Sequence, residues 1–184
     1  MLSIGYILAL YALAAVLALL EIQIEGRYGW AEKLPCHRPA ESSFLARLYF
    51  KFTNKPLTGY HIVFAFLILF ILHLPFFAGI CWTKEKELIT LSAFFIVLVC
   101  EDFLWFLYNP FYGVCKFNKH SIWWHRKWLG PCPIEYPLGV LLSFILALLA
   151  SLKVLIWWLH LMGIFLGITL LQVGWHIVTR KKMA

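Results

Sequence analysis

Long apolar runs constrain this chain more than any other feature of its sequence. A helix that crosses a bilayer needs roughly 20 mostly apolar residues, because each residue adds about 1.5 Å along the axis. With 62% hydrophobic residues and a mean hydropathy of +0.81, the chain supplies five such stretches. We therefore predict one all-α membrane domain over residues 1–184, a bundle of about five transmembrane helices with spans near 2–22, 57–80, 88–108, 136–152 and 154–178.

Basic residues are distributed unevenly between the predicted loops. Thirteen of the sixteen lysines and arginines fall in residues 27–55 and 116–127 and in a tail that holds Arg180, Lys181 and Lys182. Because such residues collect in cytoplasmic loops, we expect a multi-pass plasma-membrane protein with its N-terminus outside and its C-terminus in the cytoplasm. The net charge of +7 then reflects topology and contact with anionic lipids, so nucleic acid is not an expected partner.

Two segments of the basic loops have the composition of the membrane interface. Residues 41–52 place apolar side chains at helical spacing with Arg47 and Lys51 on the opposite side, which predicts an interfacial helix. Residues 121–128 are rich in tryptophan, a residue that is enriched at the headgroup level. We therefore expect both loops to stay at the membrane surface.

Carboxylates within the predicted spans are the strongest functional signal. Such groups are costly in a bilayer and usually face protein or water, so they mark candidate sites. Glu101 and Asp102 lie about 10 Å from the cytoplasmic end of the third span. Glu21 and Glu25 are four residues apart at the cytoplasmic end of the first span, and the helical repeat puts both on one face. Under the predicted topology, all four acids lie in one layer of the membrane.

Histidines are predicted to reach the same layer. His61 begins the second span, His176 lies near the end of the last span, and the third loop contains His120 and His125 just before Glu135. Neutral imidazole and carboxylate ligate divalent transition metals and can hold a bound water, so this set predicts a site for Zn²⁺, Fe²⁺ or Mn²⁺. The candidate metal ligands are His61, Glu101, His120, His125, His176 and Glu25, with Asp102 and Glu21 as candidate catalytic acids or bases.

Structural explanations compete with this interpretation at each position. Glu21 and Glu25 can pair with Arg27 or Lys33 at the interface, where surface ion pairs are common. Glu101 and Asp102 can hold a loop arginine, and the loop histidines can be interfacial residues beside the tryptophans. The metal prediction therefore depends on the convergence of these groups and not on any one of them.

Three segments of the chain resemble a family of small prokaryotic membrane proteins. These segments are IEGRYGWAEKLP at 24–35, PLTGYH at 56–61 and EDFLWFLYNPFYG at 101–113. The resemblance implies a polytopic membrane fold over most of the chain and brings no established activity with it. Membrane desaturases and hydroxylases use HxxxH and HxxHH boxes, whereas His120 and His125 form HxxxxH, so none of their site residues is carried over.

The leading functional hypothesis is a metal-dependent membrane enzyme, a hydrolase or an oxidoreductase, whose site opens at the cytoplasmic interface. Its expected partners are membrane lipids and a lipid or other hydrophobic small-molecule substrate, and an oligomer is left open. A second hypothesis is a small transporter or a proton- or ion-conducting protein in which Glu101 and Asp102 bind an ion along a pathway. A third is a non-catalytic scaffold in which the same groups only hold the bundle together.

Overall fold

The fold is all-helical apart from one very short pair of strands. A computed structural model describes residues 2–181, with side chains described for residues 2–179. The elements are α1 (Ile4–Glu25), α2 (Phe44–Thr53), α3 (Gly59–Phe77), α4 (Lys84–Tyr108), a 3-10 turn (Val114–Lys116), β1 (Trp128–Leu129), β2 (Cys132–Pro133), α5 (Glu135–Ala150) and α6 (Leu152–Lys181). The predicted basic tail at Arg180, Lys181 and Lys182 lies outside the described side chains.

Four helices are long and apolar enough to cross a membrane. They are α1, α3, α4 and the part of α6 within Leu152–Thr179, whereas α5 is apolar but has only 16 residues. The predicted class, a membrane helical bundle, is thereby confirmed in its coarse form. The fifth span stays a prediction, because 16 residues at about 1.5 Å each are shorter than a typical hydrocarbon core of about 30 Å.

Hydroxyl side chains mark where several helices begin. Ser3, Ser43, Thr58 and Thr83 each accept a hydrogen bond from a backbone N–H in the first turn of α1, α2, α3 and α4. Such caps satisfy backbone donors that the helix leaves without partners. Because Thr83 caps it, α4 begins at Lys84, four residues before the predicted span.

The break between the last two helices lies at Ser151. This residue has an extended backbone with φ of −174°, so α6 starts at Leu152, and Lys153, which lies between the two predicted spans, is already helical. Three contacts show that α5 returns along α4 in the opposite direction: Tyr136 with Asp102, Ser143 with Ser92, and Ser151 with Glu85.

The remaining contacts bring the same ends of several helices together. His61, at the start of α3, faces Glu21 and Glu25, at the end of α1, so these two helices are antiparallel. The amide of Asn109, just after α4, donates to the carbonyl of Gly26, just after α1. The end of α1, the start of α3 and the end of α4 therefore meet at one end of the bundle.

Small residues let α1 and α4 approach closely in the centre of the bundle. Ala14 and Ala18 of α1 and Ala93 and Val97 of α4 are fully buried. Small side chains at such interfaces allow backbones to come close and increase van der Waals contact. The face of α1 with these alanines is the face that also carries the buried Glu21 and Glu25, as the helical repeat predicts.

The two loops differ in how they meet the bundle. The predicted interfacial helix over 41–52 is observed as α2, with Phe44, Leu45 and Phe52 strongly exposed. The tryptophan-rich segment 121–128 instead folds onto the end of α4, because Ile122, Trp124 and His125 point into the bundle and are buried. These three side chains therefore pack against the protein, and the position of this segment at the membrane surface stays a prediction.

Candidate metal site

The structure brings Glu21, Glu25 and His61 together at the end of the bundle where α1 stops and α3 starts. One ligand atom from each side chain lies within 4.8 Å of the other two. His61 Nε2 is 3.7 Å from an oxygen of Glu21 and 3.8 Å from an oxygen of Glu25. Both glutamates are 6% exposed, so the three groups form a buried cluster that has the ligand types of a divalent metal site.

A strained turn holds the Glu25 carboxylate in place. The backbone N–H of Ala31 donates to Glu25 Oε1. Trp30 and Ala31 have φ of 58° and 51°, a region that non-glycine residues adopt only at a cost of about 1–3 kcal/mol each. The segment that follows α1 therefore adopts an unfavourable backbone while it wraps this carboxylate.

His61 is fixed on two sides so that its Nε2 faces the glutamates. Its Nδ1 lies 2.6 Å from Thr58 Oγ1, and its ring stacks on Trp30 with 3.8 Å between ring centres. In metal sites a hydrogen bond at one ring nitrogen sets the tautomer and the direction of the other nitrogen. Thr58 and Trp30 thus orient His61 before any ion is bound.

Glu101 of α4 extends the cluster and increases its negative charge. Its carboxyl group interacts directly with that of Glu21, and the residue is 4% exposed. Its Oε1 has no hydrogen-bond partner, and within residues 2–179 no lysine or arginine forms an ion pair with Glu21, Glu25 or Glu101. Three buried carboxyl groups beside one imidazole leave room for a cation that would offset their repulsion.

A second group of polar side chains adjoins this cluster and contains a lysine as well as carboxylates. His125 lies between two carboxylates, with Nε2 3.3 Å from Asp102 Oδ2 and Nδ1 3.5 Å from Glu135 Oε2. Lys55 Nζ is 3.7 Å from Glu135 Oε1, and the Tyr136 hydroxyl donates to Asp102. Here two acids meet a lysine, a histidine and a phenol, so these acids have the nearby lysine that the first cluster lacks.

Lys55 is an unusual component of this second group because it is only 4% exposed. Its ammonium lies over the Trp30 ring, 4.3 Å from the ring centre. Burial lowers the pKa of Lys55, while Asp102 and Glu135 act in the opposite direction. The lysine thereby links the loop before α3 to the start of α5.

Aromatic rings close the space between the two groups. A cavity of about 10 Å³, enough for roughly one water molecule or one ion, is lined by Glu21, Glu25, Trp30, His61, Asp102, Trp105, Phe106 and Trp124. A Cβ on Gly29 would lie 2.2 Å from the Trp124 ring, so only glycine lets this tryptophan cover the cavity. The cavity therefore has room for one ion, and a larger substrate would reach it only if one of these rings moved aside.

Two of the predicted ligands lie elsewhere. His120 is exposed on a turn where its backbone N–H donates to Asn118, and it is not part of either group. His176 lines a groove between α4 and α6. The structure therefore brings together Glu21, Glu25, His61, Glu101, Asp102 and His125 from the predicted set.

Sequence reasoning missed several residues that complete the site. Thr58, Trp30, Lys55 and Tyr136 were not predicted to belong to it, although Thr58 precedes His61 in the PLTGYH segment. Lys55 was counted as one more basic loop residue, and nothing in its sequence context signals burial. Comparison with known proteins found no matching family model, curated protein or solved structure.

Proposed function

We propose that this protein is a metal-dependent membrane enzyme that acts on a lipid or another hydrophobic small molecule. The observation that carries the proposal is the buried convergence of Glu21, Glu25 and His61 within 4.8 Å, beside the carboxyl group of Glu101. Zn²⁺, Fe²⁺ and Mn²⁺ accept this combination of carboxylate and imidazole. Glu101 is the natural fourth ligand, because it contacts Glu21 and has an oxygen without a hydrogen-bond partner.

The second polar group gives this site a proton acceptor. A bound metal would supply Lewis-acid activation of a water molecule or of a substrate carbonyl. Asp102 lines the same small cavity and is backed by His125 and Tyr136. These two partners orient the carboxylate, so that Asp102 can accept a proton at the cavity and pass it to the His125 imidazole.

The topology that we propose has five spans and a cytoplasmic site. It is supported by α5, which lies beside α4 from Asp102 to Glu85 and so covers much of the depth of that helix. The loop 27–55, which holds much of the basic charge, is at the end of the bundle that carries the cluster, whereas Lys84 and Lys86 begin α4 at the other end. With cytoplasmic basic loops, the N-terminus lies outside and the site lies near the inner interface of the plasma membrane.

Ion conduction is a weaker proposal for the same residues. Polar groups would be needed at successive depths, and His73 with Glu87 forms an ion pair at the opposite end of α3 and α4. Between the two ends, the described core consists mostly of buried apolar residues such as Ala14 and Ile68, and the buried Ser92 and Ser143 bond to each other. A path for ions would require these helices to separate.

The test combines metal content with turnover. Protein purified in detergent would be analysed for transition metals as wild type, Glu25→Gln and His61→Ala, with His160→Ala as the matched control on the exposed side of α6. Each preparation would then be incubated with a total membrane lipid extract, and the products followed by mass spectrometry. We expect about one metal per chain and lipid conversion in the wild type and in the control, and loss of both in the site variants.

Three results would contradict the proposal. Wild-type protein without any transition metal, in preparations of confirmed fold, would remove the metal-dependent mechanism. Metal that is retained in both site variants would show that the ion is held elsewhere. Metal bound at this site without conversion of any lipid species would instead favour the scaffold interpretation.

A further inference from the structure

A groove between the ends of α4 and α6 is separate from the metal cluster. It has a volume of about 350 Å³, which falls within the range of small-molecule sites, and its lining is mostly apolar. Leu107 and Tyr108 of α4 form one wall, and Ile168, Leu171 and Trp175 of α6 form the other. Leu171 and Trp175 are strongly exposed, so the groove opens on the side of α6 that would face lipid.

Gln172 provides a polar group inside this groove. Its Oε1 accepts hydrogen bonds from the hydroxyls of Tyr108 at 2.8 Å and Tyr11 at 3.1 Å, and Tyr11 also contacts Thr169. With Oε1 placed on the tyrosine side, the Nε2 donors are turned away from the tyrosines. No hydrogen bond from Nε2 is seen to any residue within 2–179.

The depth of Gln172 makes these donors significant. The residue lies about 10 Å before Thr179, which ends the part of α6 that is long and apolar enough to cross a membrane. Water is scarce at such a depth, and a donor without a partner there costs free energy. An acceptor that arrives from the bilayer would give these donors a partner. A carboxylate or carbonyl oxygen at the end of a hydrocarbon chain has this chemistry.

We propose that the groove binds a single-chain lipid, a long-chain fatty acid, with its carboxylate at Gln172 and its chain against Leu107, Ile168 and Leu171. The volume suits one chain rather than a two-chain phospholipid. The last turn of α4 separates this site from the metal cavity, since Trp105 and Phe106 line the cavity while Leu107 and Tyr108 line the groove. The inference does not depend on a bound metal, so either proposal can fail alone.

Photolabelling tests this assignment. Wild-type protein in phosphatidylcholine nanodiscs would be exposed to a trace of a palmitic acid analogue that carries a diazirine on its chain, and the labelled peptides mapped with and without excess palmitate. We expect label at the groove residues and displacement of most of it by palmitate. Gln172→Leu should weaken the competition by palmitate about fivefold, the effect of one lost hydrogen bond.

Ile168→Trp fills the groove while it leaves Gln172 in place, and Leu166→Trp is the matched control on an exposed position of α6 that does not line the groove. The first variant should lose the displaceable label and the second should keep it. Label spread evenly over the exposed face of α6, or unaffected by excess palmitate, would overturn the proposal, as would equal labelling of the two tryptophan variants.

Discussion

Asp102 of α4 and His125 of the following loop form a buried contact, with 3.3 Å between Oδ2 and Nε2. The contact carries the loop back onto the bundle, because His125 also reaches Glu135 at the start of α5. One imidazole therefore joins the two helices that flank the loop and lies beside the candidate metal site.

His125→Ala should strongly destabilise the protein. The change removes a side chain that is 2% exposed from between Asp102 and Glu135, and large-to-small changes at buried positions typically cost about 2–5 kcal/mol. Thermal unfolding in detergent would measure the loss. His120→Ala, on an exposed turn, should change the stability by less than about 0.5 kcal/mol. Equal effects of the two changes would mean that the loop does not pack as described.

Lys55 should make stability depend on pH in the alkaline range. Its folded pKa is lowered below the ordinary value of 10.5, so the unfolded chain binds more protons than the folded chain between these two values. Stability then rises as the pH increases toward 10.5, by at most about 1.4 kcal/mol per pH unit from this one group. Denaturant unfolding at several alkaline pH values would show the rise in the wild type and its reduction in Lys55→Met. Identical pH profiles would disprove this role for Lys55.

Thr58→Val should weaken metal binding more than it weakens the fold. Thr58 both caps α3 and contacts His61 Nδ1, and loss of a residue that orients a metal ligand typically costs about 10- to 100-fold in affinity. The cap alone is worth about 1 kcal/mol. Thr83→Val is the matched control, since Thr83 caps α4 with the same 3.2 Å hydrogen bond at the other end of the bundle.

Metal titration and unfolding of both threonine variants would separate the two roles. We expect similar losses of stability, reduced metal affinity only in Thr58→Val, and recovery of that affinity in Thr58→Ser, which keeps the hydroxyl. If both valine variants bound metal as the wild type does, Thr58 would be a helix cap and nothing more.

Gly29→Ala should destabilise the cover of the cavity. The added methyl would lie 2.2 Å from the buried Trp124 ring, and overpacking of this kind costs about 1–3 kcal/mol. Tryptophan fluorescence and thermal unfolding would report the displaced ring. Gly174→Ala is the control, because its Cβ meets open space in the middle of α6 and should leave the protein unchanged or slightly more stable. A neutral Gly29→Ala would mean that Trp124 can move aside.

The sequence was sufficient to predict the helices and the layer of acids. Apolar runs and the helical repeat can be read from residues that are close in sequence. They were enough to predict that Glu21, Glu25 and Glu101 lie on inward faces of α1 and α4. The path of the third loop could not be predicted in this way. Neighbouring residues of this loop differ in burial, since Trp123 is exposed whereas Trp124 and His125 are buried. Contacts with α4 and α5 decide which of these side chains turns inward.

Charge gave the least guidance on individual side chains. Counting lysines and arginines indicates which loops share a side of the membrane, but it treats Lys55 like its exposed neighbour Lys51. What separates them is the carboxylate of Glu135, which belongs to a helix far along the chain. A partner that is distant in sequence leaves no local pattern.

Ser92 and Ser143 set the register of the whole site from the apolar middle of the bundle. Each hydroxyl donates to the backbone carbonyl of the other residue at 2.9 Å, and the indole of Trp158 donates to Ser143 as well. A slip of α5 by one helical turn would leave all these groups without partners in a region that offers no water. The serine contacts, about two helical turns away, thus keep Tyr136 and Glu135 level with Asp102 and His125 along the bundle axis. The alignment of the site therefore does not depend on what the site binds.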